Sequence, residues 1–241
     1  MSNVRRGAAV AFALLLSACQ AATEAPVVSA GPDGPWLFRA ELTIQDAWQH
    51  VVLNRATDYR LAARDGKLFI KATGRRSASG LARRVAPDLK ACPWLEWTWR
   101  VDRMQESADL GNREREDMAA SLFLMFGDPG FLSDPEPVPT MRYVWTNKRA
   151  GADQVIDSPY MPGVVRSIVV QSGTARMGEW VTERRHLLSD FAAAFGEAPA
   201  EGVHVIVLFT DNDQTGEPVE AGYASARLLC QPKDAQRSLR N

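Results

Sequence analysis

The sequence is poor in the residues that carry most hydrolytic and metal chemistry. Of 241 residues only three are histidines, His50, His186 and His204, and only three are cysteines, Cys19, Cys92 and Cys230. No Cys or His partners stand at zinc-ligand spacing and no nucleophile elbow occurs, so a structural zinc site or a Ser/His triad has no support, and each histidine reads as an ordinary core or surface side chain. No glycine-rich phosphate loop or dinucleotide fingerprint follows a strand-like run. Basic runs with interleaved aromatics are missing, which argues against nucleic acid as a partner. Beyond residue 18 no apolar run is long enough to span a bilayer. There is no internal repeat.

What is present begins with a leader. Arg5 and Arg6 precede an apolar run from Ala8 to Leu16, and Leu16-Ser17-Ala18-Cys19 closes it with small residues before a cysteine. That is the layout of a secretory signal, too short for a membrane span. The last four residues resemble the lipobox of bacterial lipoproteins. The resemblance implies a diacylglycerol on Cys19, cleavage before it and an acylated amine, a durable membrane anchor of several chains. By the same resemblance, Gln20 in the second mature position implies the outer membrane of a Gram-negative cell, with the domain facing the periplasm. The competing reading is an ordinary secreted protein with Cys19 buried. Removing residues 1–18 leaves 223 residues of net charge −3, enough for one domain with a sizeable core. With Cys19 assigned to lipid, Cys92 and Cys230 form an even pair in an oxidising compartment, a candidate disulfide against the alternative of two separate buried thiols.

The remaining chain divides into a flexible tether at 19–35, rich in Ala, Pro, Gly, Ser and Thr, a β-sandwich domain at 36–231 and a polar tail at 232–241. Strand-like runs are predicted at 59–63, 67–73, 94–101, 119–126, 142–146, 164–171, 180–188, 203–210 and 222–230, spaced as in a sandwich or barrel rather than as βαβ units. Asp65-Gly66 has the chemistry of a tight hairpin turn. Leu95, Trp97, Trp99 and Val101 alternate with Glu96, Thr98, Arg100 and Asp102, which puts the first set in the core. The stretch 119–126 is apolar on both faces, which predicts a central strand covered on each side. One short helix is predicted near Asp190–Phe195, capped by Asp190 and closed by Gly196. Asp128–Thr140 and Gly151–Gly163 are Pro-containing loops, expected to be neither strand nor helix and to lie over one end of the sheets.

Three constellations could carry function. Asp211-Asn212-Asp213-Gln214-Thr215-Gly216 alternates oxygens as calcium loops do, with Asp211, Asp213 and Thr215 as candidate ligands for calcium. Its twelfth position is Gly222 rather than an acid, so a solvated hairpin loop is the favoured reading. Glu96, Asp102, Glu116, Asp117, Glu183, Asp211 and Asp213 supply acids for a glycosidase-type pair, with no spacing that selects one. Tyr143, Trp145, Tyr160 and Trp180 could stack on a sugar ring if exposed.

Several segments together resemble the bacterial domain-of-unknown-function family numbered 3047. They are Ser77-Ala78-Ser79-Gly80-Leu81, Pro93 to Val101, Glu116 to Ala120, Tyr143-Val144-Trp145, Trp180 with Glu183 and Arg185, Asp190, Phe195-Gly196 and Thr210 to Thr215. The resemblance implies an exported all-β fold, an antiparallel β-sandwich of jelly-roll or galactose-binding-like type with one short helix, and no established activity. Arg100, Asp117, Tyr143, Glu183, Arg185, Asp211 and Asp213 keep the family's residue types and form, with Trp145 and Tyr160, the candidate ligand-binding set.

The function expected is therefore that of an envelope-anchored lipoprotein whose non-catalytic sandwich binds a glycan or another envelope component. The alternatives are a polysaccharide-acting hydrolase using a carboxylate pair, and an assembly partner of envelope proteins.

Overall fold

The computed structural model describes residues 30–31, 34–40, 48–147 and 150–230. Cys19, the leader, most of the tether and the polar tail lie outside the described residues. In chain order the strands are β1 (Ala30–Gly31), β2 (Gly34–Arg39), β3 (Gln49–Asn54), β4 (Asp58–Arg64), β5 (Lys67–Gly74), β6 (Ala78–Arg84), β7 (Trp94–Arg103), β8 (Ala120–Phe126), β9 (Thr140–Thr146) and β10 (Val155–Asp157). Then come β11 (Val165–Ser172), β12 (Val181–His186), the helix α1 (Leu187–Phe195), β13 (Val203–Asp211) and β14 (Val219–Leu229). No helix among the described residues is long and apolar enough to cross a membrane.

These strands make an all-β sandwich of two sheets. In the first, β7 and β14 pair along most of their length and β12 flanks β7. The far edge of β14 is shared by β5, which carries β4, and by β2, which carries β1. The second sheet runs β10-β11-β9-β8-β13-β6-β3. Its strands are antiparallel neighbours except β9 and β11, which are parallel. That pair needs a crossover rather than a tight turn, and β10 lies between the two strands in the chain.

The alternating residues of β7 form one wall of the core. Leu95, Trp97, Trp99 and Val101 are at most 2 % exposed, and each buried Leu of this kind contributes ~1.5–3 kcal/mol. Across the gap Trp97 stacks on Tyr143 of β9 at 4.8 Å between ring centroids, and Trp99 tilts against Trp145 at 6.0 Å. Tyr143 and Trp145 therefore lie inside the sandwich, both 0 % exposed, and offer no face to a sugar. The reason is strand parity: the side of β9 that carries them points at the first sheet. Strand β8 is fourth of seven in its sheet, with Leu122 and Leu124 in the core while Phe123 and Met125 project to the opposite face.

Local chemistry explains the connections. The turn between β4 and β5 has φ of 53° at Asp65 and 70° at Gly66, positive at both central residues as a right-twisted two-residue hairpin requires. The helix starts three residues earlier than its sequence signal suggests. His186 caps it, its Nδ1 accepting from the Ser189 N–H at 3.2 Å, and Asp190 sits in the first turn. The segment 151–163 contains the short strand β10, paired with β11 ahead of its prolines. Cys92 and Cys230 are joined as a disulfide, tying the approach to β7 to the end of β14.

Candidate functional site

The residues singled out by sequence do not all fall in one place. Arg100 lies on the outer face of the first sheet, hydrogen-bonded through Nε to Asp102 at 2.8 Å, with its guanidinium 5.8 Å from the Trp180 ring. Glu183, on β12, accepts from Gln171 at 2.8 Å. Arg185 grips Asp190 with Nε and Nη2, both at 2.8 Å, and the Tyr143 hydroxyl donates to the same carboxylate at 2.6 Å. Burial, and then the Asp190 charge, push the Tyr143 phenol well above its ordinary value. Tyr143, Asp190 and Arg185 thus form a lock between core and helix.

Asp117, Asp211 and Asp213 do come together. Strand β13 ends at Asp211 in the second sheet and β14 begins at Val219 in the first, so residues 212–218 cross between sheets and are not a hairpin loop. Asp211 and Asn212 are only 4 % and 1 % exposed, which corrects the solvated-loop reading. Asp117, just ahead of β8, accepts from the N–H groups of Gln214 at 3.2 Å and Thr215 at 2.7 Å. Asp211 Oδ1 accepts from the Met118 N–H at 2.8 Å. One oxygen from each of the three carboxylates lies within 4.8 Å of the others. Burial raises the Asp117 carboxyl despite those hydrogen bonds, and burial followed by the Asp117 charge raises Asp211 strongly. Thr215, the third calcium candidate, donates its amide N–H to Asp117 at 2.7 Å. Its hydroxyl oxygen also accepts from the Glu217 N–H. Asp117 therefore joins Asp211 and Asp213 as a group of carboxylates able to face one cation.

This cluster sits at one end of a groove on the outer face of the second sheet. The floor is Gly80 and Ala82 of β6, Val207 and Phe209 of β13, and Phe123 and Met125 of β8, enclosing about 210 Å3. Leu132, Pro135, Pro137 and Val138 wall it, so the Pro-rich loop lies over a sheet face rather than over an end of the sandwich. A second cavity of about 330 Å3 shares Leu53, Phe123, Met161, Val165 and Phe209 with the first. It adds a polar end: Asn54, Glu116, Arg142, Ser158, Tyr160, Asp211, Asp213 and Gln214.

The polar end is partly satisfied from within. Asn54 donates to Asp213 Oδ2 at 3.0 Å, and Gln214 Nε2 donates to the same oxygen at 3.0 Å and to the Tyr160 hydroxyl at 3.2 Å. Asp213 Oδ1 and Gln214 Oε1 are buried acceptors with no donor among the described residues. Of the predicted binding aromatics Tyr160 alone reaches this site, 43 % exposed at the rim. The groove-floor residues were absent from the predicted set. Their signal was the double-sided apolar run of β8, which demands a covered outer face.

A family model described as protein of unknown function (DUF3047) matches residues 46–227. No curated protein matches the chain. Among solved structures, the enzymatically active domain of bacteriophage CBA120 tailspike protein 4 is similar at a TM-score of 0.40 and 5 % identity, over 79 % of this chain and 20 % of that one. The chain thus spans a fifth of that protein's length.

Proposed function

Since the chain belongs to the DUF3047 family of proteins of unknown function, we propose its function from the site itself: an amphipathic envelope component binds in the groove on the outer face of the second sheet. The domain works as a non-catalytic binding module, held by lipid on Cys19 at the outer membrane and facing the periplasm. The observation that carries this reading is the continuity of the apolar groove with a polar end. Ligand sites combine an apolar concavity with a few placed polar groups. Leu53, Phe131 and Met161 stand exposed on the segments around it, at 68 %, 82 % and 39 %. A purely polar glycan has little to stack on there, because Tyr143 and Trp145 are core. A polysaccharide hydrolase is likewise less well served by an apolar floor.

The test uses the unacylated Cys19→Ala chain and the neutral dye N-phenyl-1-naphthylamine, which fluoresces in apolar sites. Saturable enhancement, lost in Leu132→Asp with Met161→Asp, is the expected result; no enhancement would sink the groove reading. Metabolic palmitate labelling that survives Cys19→Ala would sink the anchor.

A second reading is favoured by the convergence of Asp117, Asp211 and Asp213: calcium bound at the polar end. Hard cations take several oxygens at once, and burial of like charges leaves a deficit that an ion relieves. Millimolar calcium should then raise the melting temperature of the wild type and not of Asp211→Asn; an unchanged wild-type melting temperature removes this reading.

A further inference from the structure

We propose, resting on the groove reading, that the ligand's polar end is cationic: a single-chain amphiphile with an ammonium head, its chain along Phe123, Val207 and Phe209 and its nitrogen at Asp213 and Gln214. Three observations lead there. First, the two cavities share five lining residues, so a chain lying on the apolar floor delivers its head to the polar end without leaving the groove.

Second, the charge left at that end is negative. Glu116 and the lining cation, Arg142, offset one another as an ion pair at 2.6 Å, which leaves Asp213, with the carboxyls of Asp117 and Asp211, whose burial favours the protonated form, packed against it. Arg113 lies over the Tyr160 ring, its carbon 4.8 Å from the centroid, outside the lining. Arg76 lies behind Gly216, beyond the cavity lining. An anionic head would bring like charge into a site partly shielded from water, where opposite charge is favoured and like charge repelled more strongly than in bulk solvent.

Third, the groups left over are acceptors. Asp213 Oδ1 and Gln214 Oε1 lack donors, and an uncompensated buried acceptor is costly. A carboxylate or sulfate head has no proton to give them, a hydroxyl has one, and an alkylammonium has three. Charge and hydrogen-bonding capacity therefore select the same chemistry.

The experiment displaces N-phenyl-1-naphthylamine from the full Cys19→Ala chain with submicellar dodecylamine, dodecanol or dodecanoate, in EDTA. Dodecylamine should displace the dye at about tenfold lower concentration than dodecanoate, a difference of ~1.4 kcal/mol. Asp213→Asn should abolish that preference. Gln214→Met should weaken dodecylamine in the same direction and serves if Asp213→Asn does not fold. Equal or tighter displacement by dodecanoate, or a preference untouched by both variants, overturns the ammonium assignment. Displacement by none of the three overturns the groove reading itself, and the assignment with it.

Discussion

Arg142 of β9 and Glu116, ahead of β8, form an ion pair at 2.6 Å whose side chains are only 6 % and 7 % exposed. Each is held from a second side. Arg142 Nε donates to the Ser167 hydroxyl at 3.0 Å, and Ser158 donates to Glu116 Oε1 at 3.1 Å. The pair thereby fixes four segments, the approach to β8, β9, the segment after β10 and β11, around the polar end of the groove.

Removing one partner of such a pair strands a charge out of water. Glu116→Leu should lower stability by ~3–5 kcal/mol, while the double variant Glu116→Leu with Arg142→Met should recover most of it. Urea midpoints of the three proteins check this; a double variant no more stable than the single one contradicts it.

Asp211 links stability to pH. Its folded-state carboxyl is raised well above the ordinary value by burial and by the Asp117 charge, so the folded chain holds this proton more tightly than the unfolded chain. Stability must therefore fall as pH rises from the ordinary carboxylate value through the raised one. Asp211→Asn keeps an oxygen for the Met118 N–H and has no charge to develop. Melting temperatures at about pH 5 and about pH 8 should fall less in Asp211→Asn than in the wild type.

The disulfide closes a long loop, with a sequence separation of 138. Cys92→Ala with Cys230→Ala should cost about 2–5 kcal/mol, through the unfolded chain's regained freedom. Denaturation with and without reductant should show the wild type converging on the variant once reduced.

Gly80 lets β6 lie close beneath the groove. A Cβ there would stand 2.6 Å from Val207 Cγ1 and 2.8 Å from Phe209 Cδ2. Gly80→Ala should therefore cost ~1–3 kcal/mol through overpacking, and it should also weaken dye binding, since the displaced Val207 and Phe209 side chains form the floor. Unchanged stability and unchanged dye binding together would refute the close approach.

Legibility in the sequence followed side-chain pattern. Strands β4, β5, β7, β8 and β13 carry β-branched, aromatic or regularly alternating residues and could be placed within a residue or two. Strand β6 could not: Ala78-Ser79-Gly80 and Arg83-Arg84 have weak strand preference, and it is made a strand by β13 on one edge and β3 on the other. Its Ser79 hydroxyl, which accepts from the Thr57 N–H at 2.7 Å, reports a tertiary contact that no local window contains. In the candidate site, Asp117, Asp211, Asp213 and Tyr160 were named from sequence. The groove that joins them was not.

By itself the sequence determined the class of fold and which side of β7 faces the core, because period-two burial and turn residues act over a few neighbouring positions. Only the tertiary structure decided that Tyr143 and Trp145 point inward and that 212–218 crosses between sheets. It likewise decided that three aspartates from two distant segments meet at the end of an apolar groove. Those outcomes depend on which strands become neighbours, and strand order is set by closing the whole core at once rather than by any stretch of chain.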